Sequence, residues 1–238
     1  GGTEGVLKKI QPLLMERSSR PFYLLTSGKS NSLAASMEIL SYLNINKLKG
    51  EIIHGDAAYI STRVKELAQV ESARKKLIGM RLGVIGAPSD WLISSIASPV
   101  AVKQKLGIEI VNIAIDEVVD AYNAIADTPS DCATLAEKAT TKATKEAVPG
   151  AVKLYYALKE VVSRHRLNGF TIRCFDLLGV VRNTSCYALA RLNAEGIVAG
   201  CEGDIPTLLT MMITKAVTGV SGFQANPSRI DPKTGEML

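Results

Sequence analysis

Three acidic residues lie at positions where an ionised carboxylate would be energetically unfavourable without a partner. Asp176 interrupts an otherwise apolar strand, and Glu202 and Asp204 lie on either side of a glycine directly before a helix. An ionised carboxylate in apolar surroundings must be paired or bind a cation. The two segments end consecutive predicted strands, so their carboxylates could meet at one sheet edge and hold Mg²⁺ or Mn²⁺. Alternatively, Glu202 and Asp204 only cap the following helix.

A second group of polar residues follows an earlier strand. Ser89, Asp90 and Trp91 follow the β-rich run Arg81–Ala87, after Pro88. Ligands of open α/β sheets bind outside the carboxyl ends of the strands, so these side chains could line a substrate cleft. A helix N-cap at Ser89 or Asp90 is the simpler interpretation of the same residues.

Two glycine-containing segments fail as nucleotide-binding motifs. Lys29 and Ser30 follow a strand as in a phosphate-binding loop, but Tyr23 stands where that motif requires a glycine. Gly83 and Gly86 do not complete the dinucleotide fingerprint. A nucleotide-dependent enzyme is therefore disfavoured.

The composition of the chain argues against several further classes of function. Aromatic residues make up only 5% of the 238 residues, and the net charge of +5 is not gathered into a basic stripe, which argues against nucleic-acid binding. No apolar run reaches the roughly 18 residues that cross a bilayer. The four cysteines form no CxxC pair, which argues against structural zinc and favours reduced thiols in a cytoplasmic protein. His54 and His165 have no partner at metal spacing.

Strand and helix patterns alternate along the chain, which predicts an α/β fold with parallel strand pairs. Both ends look interrupted, so we expect the chain to be the middle of a longer protein. The predicted strands are 21–26, 50–55, 81–87, 108–115 and 169–178. Residues 200–204 are predicted as a short strand end or turn, and a further strand starts at 222–226.

Four segments of the carboxyl-terminal third resemble the L-fucose isomerase and L-arabinose isomerase superfamily, most closely its fucose-isomerase-like branch. They are Thr171–Asp176, Cys186–Asn193, Gly200–Asp204 and Phe223–Pro227. The resemblance implies Rossmann-like parallel-sheet units followed by the start of an isomerase C-terminal domain. We accordingly predict an N-terminal α/β part at 1–79, a central α/β domain at 80–196 and a truncated C-terminal domain from 197 to 238.

The same resemblance implies a metal-dependent interconversion of an aldose and a ketose through an enediolate, usually with Mn²⁺. By position, Asp176 and Glu202 would be catalytic residues and, with Asp204, metal ligands, and whether Glu202 or Asp204 is the direct ligand stays open. Asn226 is a further candidate substrate-binding residue, together with Ser89, Asp90 and Trp91. A metal-binding histidine is expected beyond Leu238, and Asp176 stands where the superfamily usually has Glu.

The resemblance also implies a small sugar as the partner and a homo-oligomeric assembly. A non-catalytic sugar-binding α/β protein that retains the scaffold is the alternative function, because two Rossmann-like units can close on a sugar without chemistry.

Overall fold

The computed structural model describes residues 2–16, 20–127 and 129–238, and the chain forms two compact units, Gly1–Val70 and Glu71–Leu238. The strands are β1 Phe22–Leu25, β2 Gly50–Ile53, β3 Arg81–Ile85, β4 Glu109–Ile113, β5 Gly169–Ile172 and β6 Val198–Cys201. The helices are α1 Gly2–Glu16, α2 Ser32–Ile45, α3 Ala57–Leu77, α4 Pro99–Leu106, α5 Ile115–Ala124, α6 Cys132–Glu137, α7 Lys142–Arg164, α8 Leu178–Val181, α9 Cys186–Ala194 and α10 Ile205–Thr218.

The first unit contains a two-stranded parallel sheet, β1–β2. Ile39 and Leu43 of α2 pack with Leu48 against the partly buried Phe22 and Leu24 of β1. Apolar residues three and four positions apart thus form the buried side of α2, as the sequence pattern predicts.

The second unit is built on a four-stranded parallel sheet in the order β4-β3-β5-β6. Helices α5, α7 and α9 cover one face, where Phe170 and Leu158 are completely buried. The end of α3 with α4 and α10 covers the other face, around Leu82 and Leu208. A parallel sheet buried on both faces needs apolar strands, which is why all four residues of β5 are buried. The predicted α/β class is confirmed.

Two side-chain amides lie along the outer edge of β6, the last strand of the sheet. Asn193 accepts from the Ala199 N–H (3.2 Å) and donates to the Ala199 carbonyl (2.7 Å). Gln224 accepts from the Cys201 N–H (2.7 Å) and donates to the Cys201 carbonyl (3.4 Å). These amides satisfy backbone groups that a neighbouring strand would otherwise bind.

The structure corrects two of the predicted strands. The strand predicted for 169–178 ends at Ile172, and a 3₁₀ helix follows at Cys174–Leu177, so Asp176 lies in a turn after the strand and not within it. Residues 222–226 form no strand. The predicted domain boundaries stay a prediction, although β6 pairs with β5 within one sheet and the second unit runs from Glu71 to Leu238.

Over the described residues, we find no helix that combines the length and the apolar character required to span a bilayer.

Candidate functional site

Loops from three strands meet at the carboxyl edge of the sheet in the second unit. β3 and β6 flank β5, so the loops that follow them can close over the end of β5. The Ser89 N–H donates to the Glu202 carbonyl at 2.8 Å, which joins the loops of β3 and β6. Because β4 and β5 lie on opposite sides of β3, this edge is also where the strand order reverses, the usual ligand position in open α/β sheets.

Gly203 allows these two loops to touch. Its φ is +69° and that of Glu202 is +65°, so the chain passes through two left-handed residues in succession. A Cβ at Gly203 would lie 2.3 Å from the Ala87 carbonyl oxygen and 2.7 Å from the Pro88 Cα. Only glycine fits this approach. The position of Glu202 is therefore set by backbone contact.

Arg173 links two of the predicted site residues. Its Nη1 and Nη2 donate to the two carboxylate oxygens of Asp90 at 3.1 and 3.2 Å, and its Nε donates to Asp176 Oδ1 at 3.0 Å. Burial opposes the charge of the guanidinium, but the carboxylates of Asp176 and Asp90 together raise the pKa of Arg173. Sequence reasoning did not select Arg173, although a basic residue beside an apolar strand and three positions before Asp176 was a usable signal.

Glu202 faces a cavity of about 460 Å³. Asn226 also lines this cavity and its Nδ2 donates to Glu202 Oε1 at 3.4 Å, so the structure brings these two predicted residues together. The remaining lining residues include Cys186, Cys201, Met211, Phe223 and Gln224.

Asp204 acts as the N-cap of α10. Its Oδ1 accepts from the Thr207 N–H at 2.8 Å, and its Oδ2 accepts from the Thr207 hydroxyl at 2.8 Å. The helix-cap alternative is therefore confirmed for Asp204. For the described part of the chain, no group of three or more His, Cys, Asp and Glu side chains is placed to hold a metal ion. Asp176, Glu202 and Asp204 thus do not by themselves form a three-ligand site.

The interpretation of Ser89 or Asp90 as a helix N-cap in the loop after β3 is wrong. Ser98 caps the next helix, α4, so neither Ser89 nor Asp90 does. Ser89 is buried, with 3% of its surface exposed, and contributes its backbone N–H to the loop contact. Trp91 is half-exposed and its ring lies 5.8 Å from that of Phe175 at 51°, which forms an apolar patch beside the Arg173 ion pairs.

Two cysteines lie at the carboxyl edge of the sheet, where β5 and β6 end. The sulfurs of Cys174 and Cys201 are 3.4 Å apart. Hydrogen bonding from Cys201 lowers the pKa of the Cys174 thiol to about 6 against the opposing effect of burial, and Ser185 adds to the lowering. The same contact raises the pKa of the Cys201 thiol. Their spacing of 27 residues gave no signal of this proximity.

Residues 97–219 match the family model described as the L-arabinose isomerase central domain. Because the match covers more than half of the chain, the chain belongs to this family, and the resemblance to the L-fucose and L-arabinose isomerase superfamily is confirmed.

The sequence of the chain is also similar to those of two sulfoquinovose isomerases. A sulfoquinovose isomerase of Alkalicoccus urumqiensis is 23% identical over 192 residues, which cover 77% of this chain and 43% of the relative. A sulfoquinovose isomerase of Clostridium sp. (strain MSTE9) is 29% identical over 106 residues, which cover 43% of this chain and 24% of the relative. The chain thus matches less than half the length of either relative.

Proposed function

We propose that this chain works in an aldose–ketose isomerase and that the sugar binds at the carboxyl edge of the second unit. The observation that carries the proposal is the meeting of the three loops, which places Arg173 with Asp90 and Asp176 at the edge where Glu202 faces a cavity. Membership of the arabinose isomerase family and the similarity to two sulfoquinovose isomerases support it.

The reaction moves a proton between C1 and C2, which are the carbonyl carbon of the aldose and the carbon next to it, through an enediolate. Such a transfer needs a positioned base and acid. We assign these roles to Asp176 and Glu202, whose loops are joined through the loop of β3. The Arg173 guanidinium fixes the orientation of Asp176 by its 3.0 Å hydrogen bond.

Three further points of the sequence analysis remain proposals. The first is dependence on Mn²⁺ or another divalent ion. Of the three predicted ligands, Asp204 uses both carboxylate oxygens on Thr207, which leaves Asp176 and Glu202. Further ligands would have to come from outside the described residues or from a partner subunit. The second and third are a homo-oligomeric assembly and a cytoplasmic location.

The proposal is tested on the full-length protein by following aldose-to-ketose conversion of L-arabinose, L-fucose and sulfoquinovose by NMR, with and without added Mn²⁺. We expect turnover of at least one sugar, and a loss of about 100-fold or more in kcat for D176N and for E202Q. Asp120→Asn and Glu137→Gln are matched controls, because both side chains are exposed on helices α5 and α6.

Retention of turnover by both D176N and E202Q would overturn the assignment of these carboxylates. Binding of a sugar with no conversion and no requirement for metal would instead support the non-catalytic sugar-binding protein. Isothermal titration with Mn²⁺ tests the metal separately, and unchanged affinity in both variants would remove these two residues from the ligand set.

A further inference from the structure

Cys174 and Cys201 form a close pair that joins two strands of the sheet. Cys201 is the last residue of β6, and Cys174 begins the 3₁₀ helix that follows β5. Their sulfurs are 3.4 Å apart, whereas a disulfide needs about 2.05 Å, so the two must approach by only about 1.4 Å. Rotation about the side-chain bonds can supply a movement of this size.

The two sulfurs differ in their access to solvent. Cys201 is partly exposed and lines the 460 Å³ cavity, so a small polar oxidant can reach it. Cys174 is only 4% exposed and lies behind it. The other two thiols have different surroundings, since Cys132 is buried with Val148 and Val152, and Cys186 contacts the Thr184 hydroxyl at 3.4 Å.

We propose that Cys174 and Cys201 are a peroxide-sensitive thiol pair that closes to a disulfide within one chain. The Cys201 thiol first gives its proton to the ionised Cys174 sulfur 3.4 Å away. The Cys201 thiolate then attacks hydrogen peroxide, so an S–O bond forms, the O–O bond breaks and hydroxide leaves. The Cys174 sulfur then attacks the Cys201 sulfur, so the S–S bond forms and the S–O bond breaks. The second hydroxide leaves as water with the Cys174 proton, and two electrons have passed from the thiols to the peroxide.

The disulfide would connect the two loops that carry the proposed acid and base. Asp176 lies two residues after Cys174, and Glu202 follows Cys201 directly. Backbone groups of Cys201 are already held by Gln224 and by the Thr171 hydroxyl (2.9 Å), so the cross-link would form on a fixed strand end. The movement must therefore come mainly from the two side chains and the turn at Cys174.

The test is peptide mapping of the full-length protein. It is treated with hydrogen peroxide, its remaining thiols are alkylated in denaturant, and it is digested with trypsin. Cleavage after Arg and Lys places the four cysteines of the chain in separate peptides, 106–138, 174–182, 183–191 and 192–215. We expect peptides 174–182 and 192–215 to be joined, the alkylatable thiols of this chain to fall from four to two, and dithiothreitol to restore them.

Two variants distinguish the Cys174–Cys201 pair from Cys186, the other cysteine that lines the cavity. In Cys186→Ser the joined peptides must still form, and in Cys201→Ser peptide 174–182 must stay alkylatable after the same peroxide treatment. A link between 183–191 and 192–215 would overturn the proposal, as would Cys201 oxidised to a sulfinic acid while 174–182 remains fully alkylated. Mapping of the unmodified protein decides the question even if a variant fails to fold.

Discussion

Replacement of Gly203 by alanine should separate the loops of β3 and β6 and destabilise the second unit. The added Cβ meets backbone atoms, the Ala87 carbonyl oxygen at 2.3 Å and the Pro88 Cα at 2.7 Å, and neither can rotate away as a flexible side chain would. The loops must move apart, which breaks the 2.8 Å hydrogen bond between the Ser89 N–H and the Glu202 carbonyl.

The cost has two parts that can be separated. A left-handed φ costs a residue with a Cβ about 1 kcal/mol relative to glycine. Loss of a hydrogen bond and of the packing around it adds about 1 to 2 kcal/mol. Gly219 at the end of α10 has a φ of +84° but open space around its Cβ position. We therefore expect G203A to lose about 2 to 3 kcal/mol of unfolding free energy and G219A about 1 kcal/mol.

Urea unfolding followed by circular dichroism measures both variants. With an m-value of about 2 kcal/mol per M, the midpoint should fall by about 1 M or more for G203A and by about 0.5 M for G219A. If G203A proves no less stable than G219A, the two loops do not touch at this point, and the argument that backbone contact positions Glu202 is wrong.

Three more changes test other parts of the second unit. D204A removes the N-cap of α10 and should cost about 1 kcal/mol of unfolding free energy, because the Thr207 N–H loses its acceptor. E195Q should make the unfolding free energy fall less steeply at acid pH. Hydrogen bonds from Lys159 and then from the buried Tyr155 lower the pKa of Glu195. The contribution of Glu195 to the unfolding free energy is therefore complete above about pH 4.3 and is lost as the pH falls through the lowered pKa. L158A leaves a cavity beneath α7 and should cost about 3 kcal/mol.

Each of these variants has a contrary outcome. D204N keeps an acceptor oxygen for the cap and should lose much less stability than D204A, so equal losses would argue against capping. An acid slope for E195Q as steep as that of the unmodified protein would contradict the role of the Glu195 contacts. L178A removes the same atoms from a side chain that is 47% exposed, and it should cost far less than L158A. All three are measured by denaturation, with E195Q repeated across pH values.

Local patterns accounted for the architecture and for one site residue. Alternating apolar strands and amphipathic helices predicted the α/β class, because burial on both faces of a parallel sheet demands apolar strands. The capping role of Asp204 was also readable, since an acidic residue directly before Ile205-Pro206 is a common helix start. By contrast, the end of β5 was misplaced, because the apolar run continues into a 3₁₀ helix and periodicity does not distinguish the two in a few residues.

The contacts that assemble the site had no comparable signal. The ion pair between Arg173 and Asp90 spans 83 positions, and the contact of Ser89 with Glu202 is made by backbone atoms that every residue possesses. Such contacts follow from strand order, which the sequence patterns did not specify. The positive φ of Glu202 was equally hidden, since a glycine at the next position marks a turn but not its geometry.

The two amides along β6 have a consequence for the behaviour of the protein at high concentration. An exposed sheet edge offers unpaired N–H and C=O groups to any other extended chain and so invites aggregation. At Ala199 and Cys201 these groups are already occupied by Asn193 and Gln224. The strand thus carries side chains that imitate a neighbour, and this edge discourages a second molecule from extending the sheet into an open-ended stack.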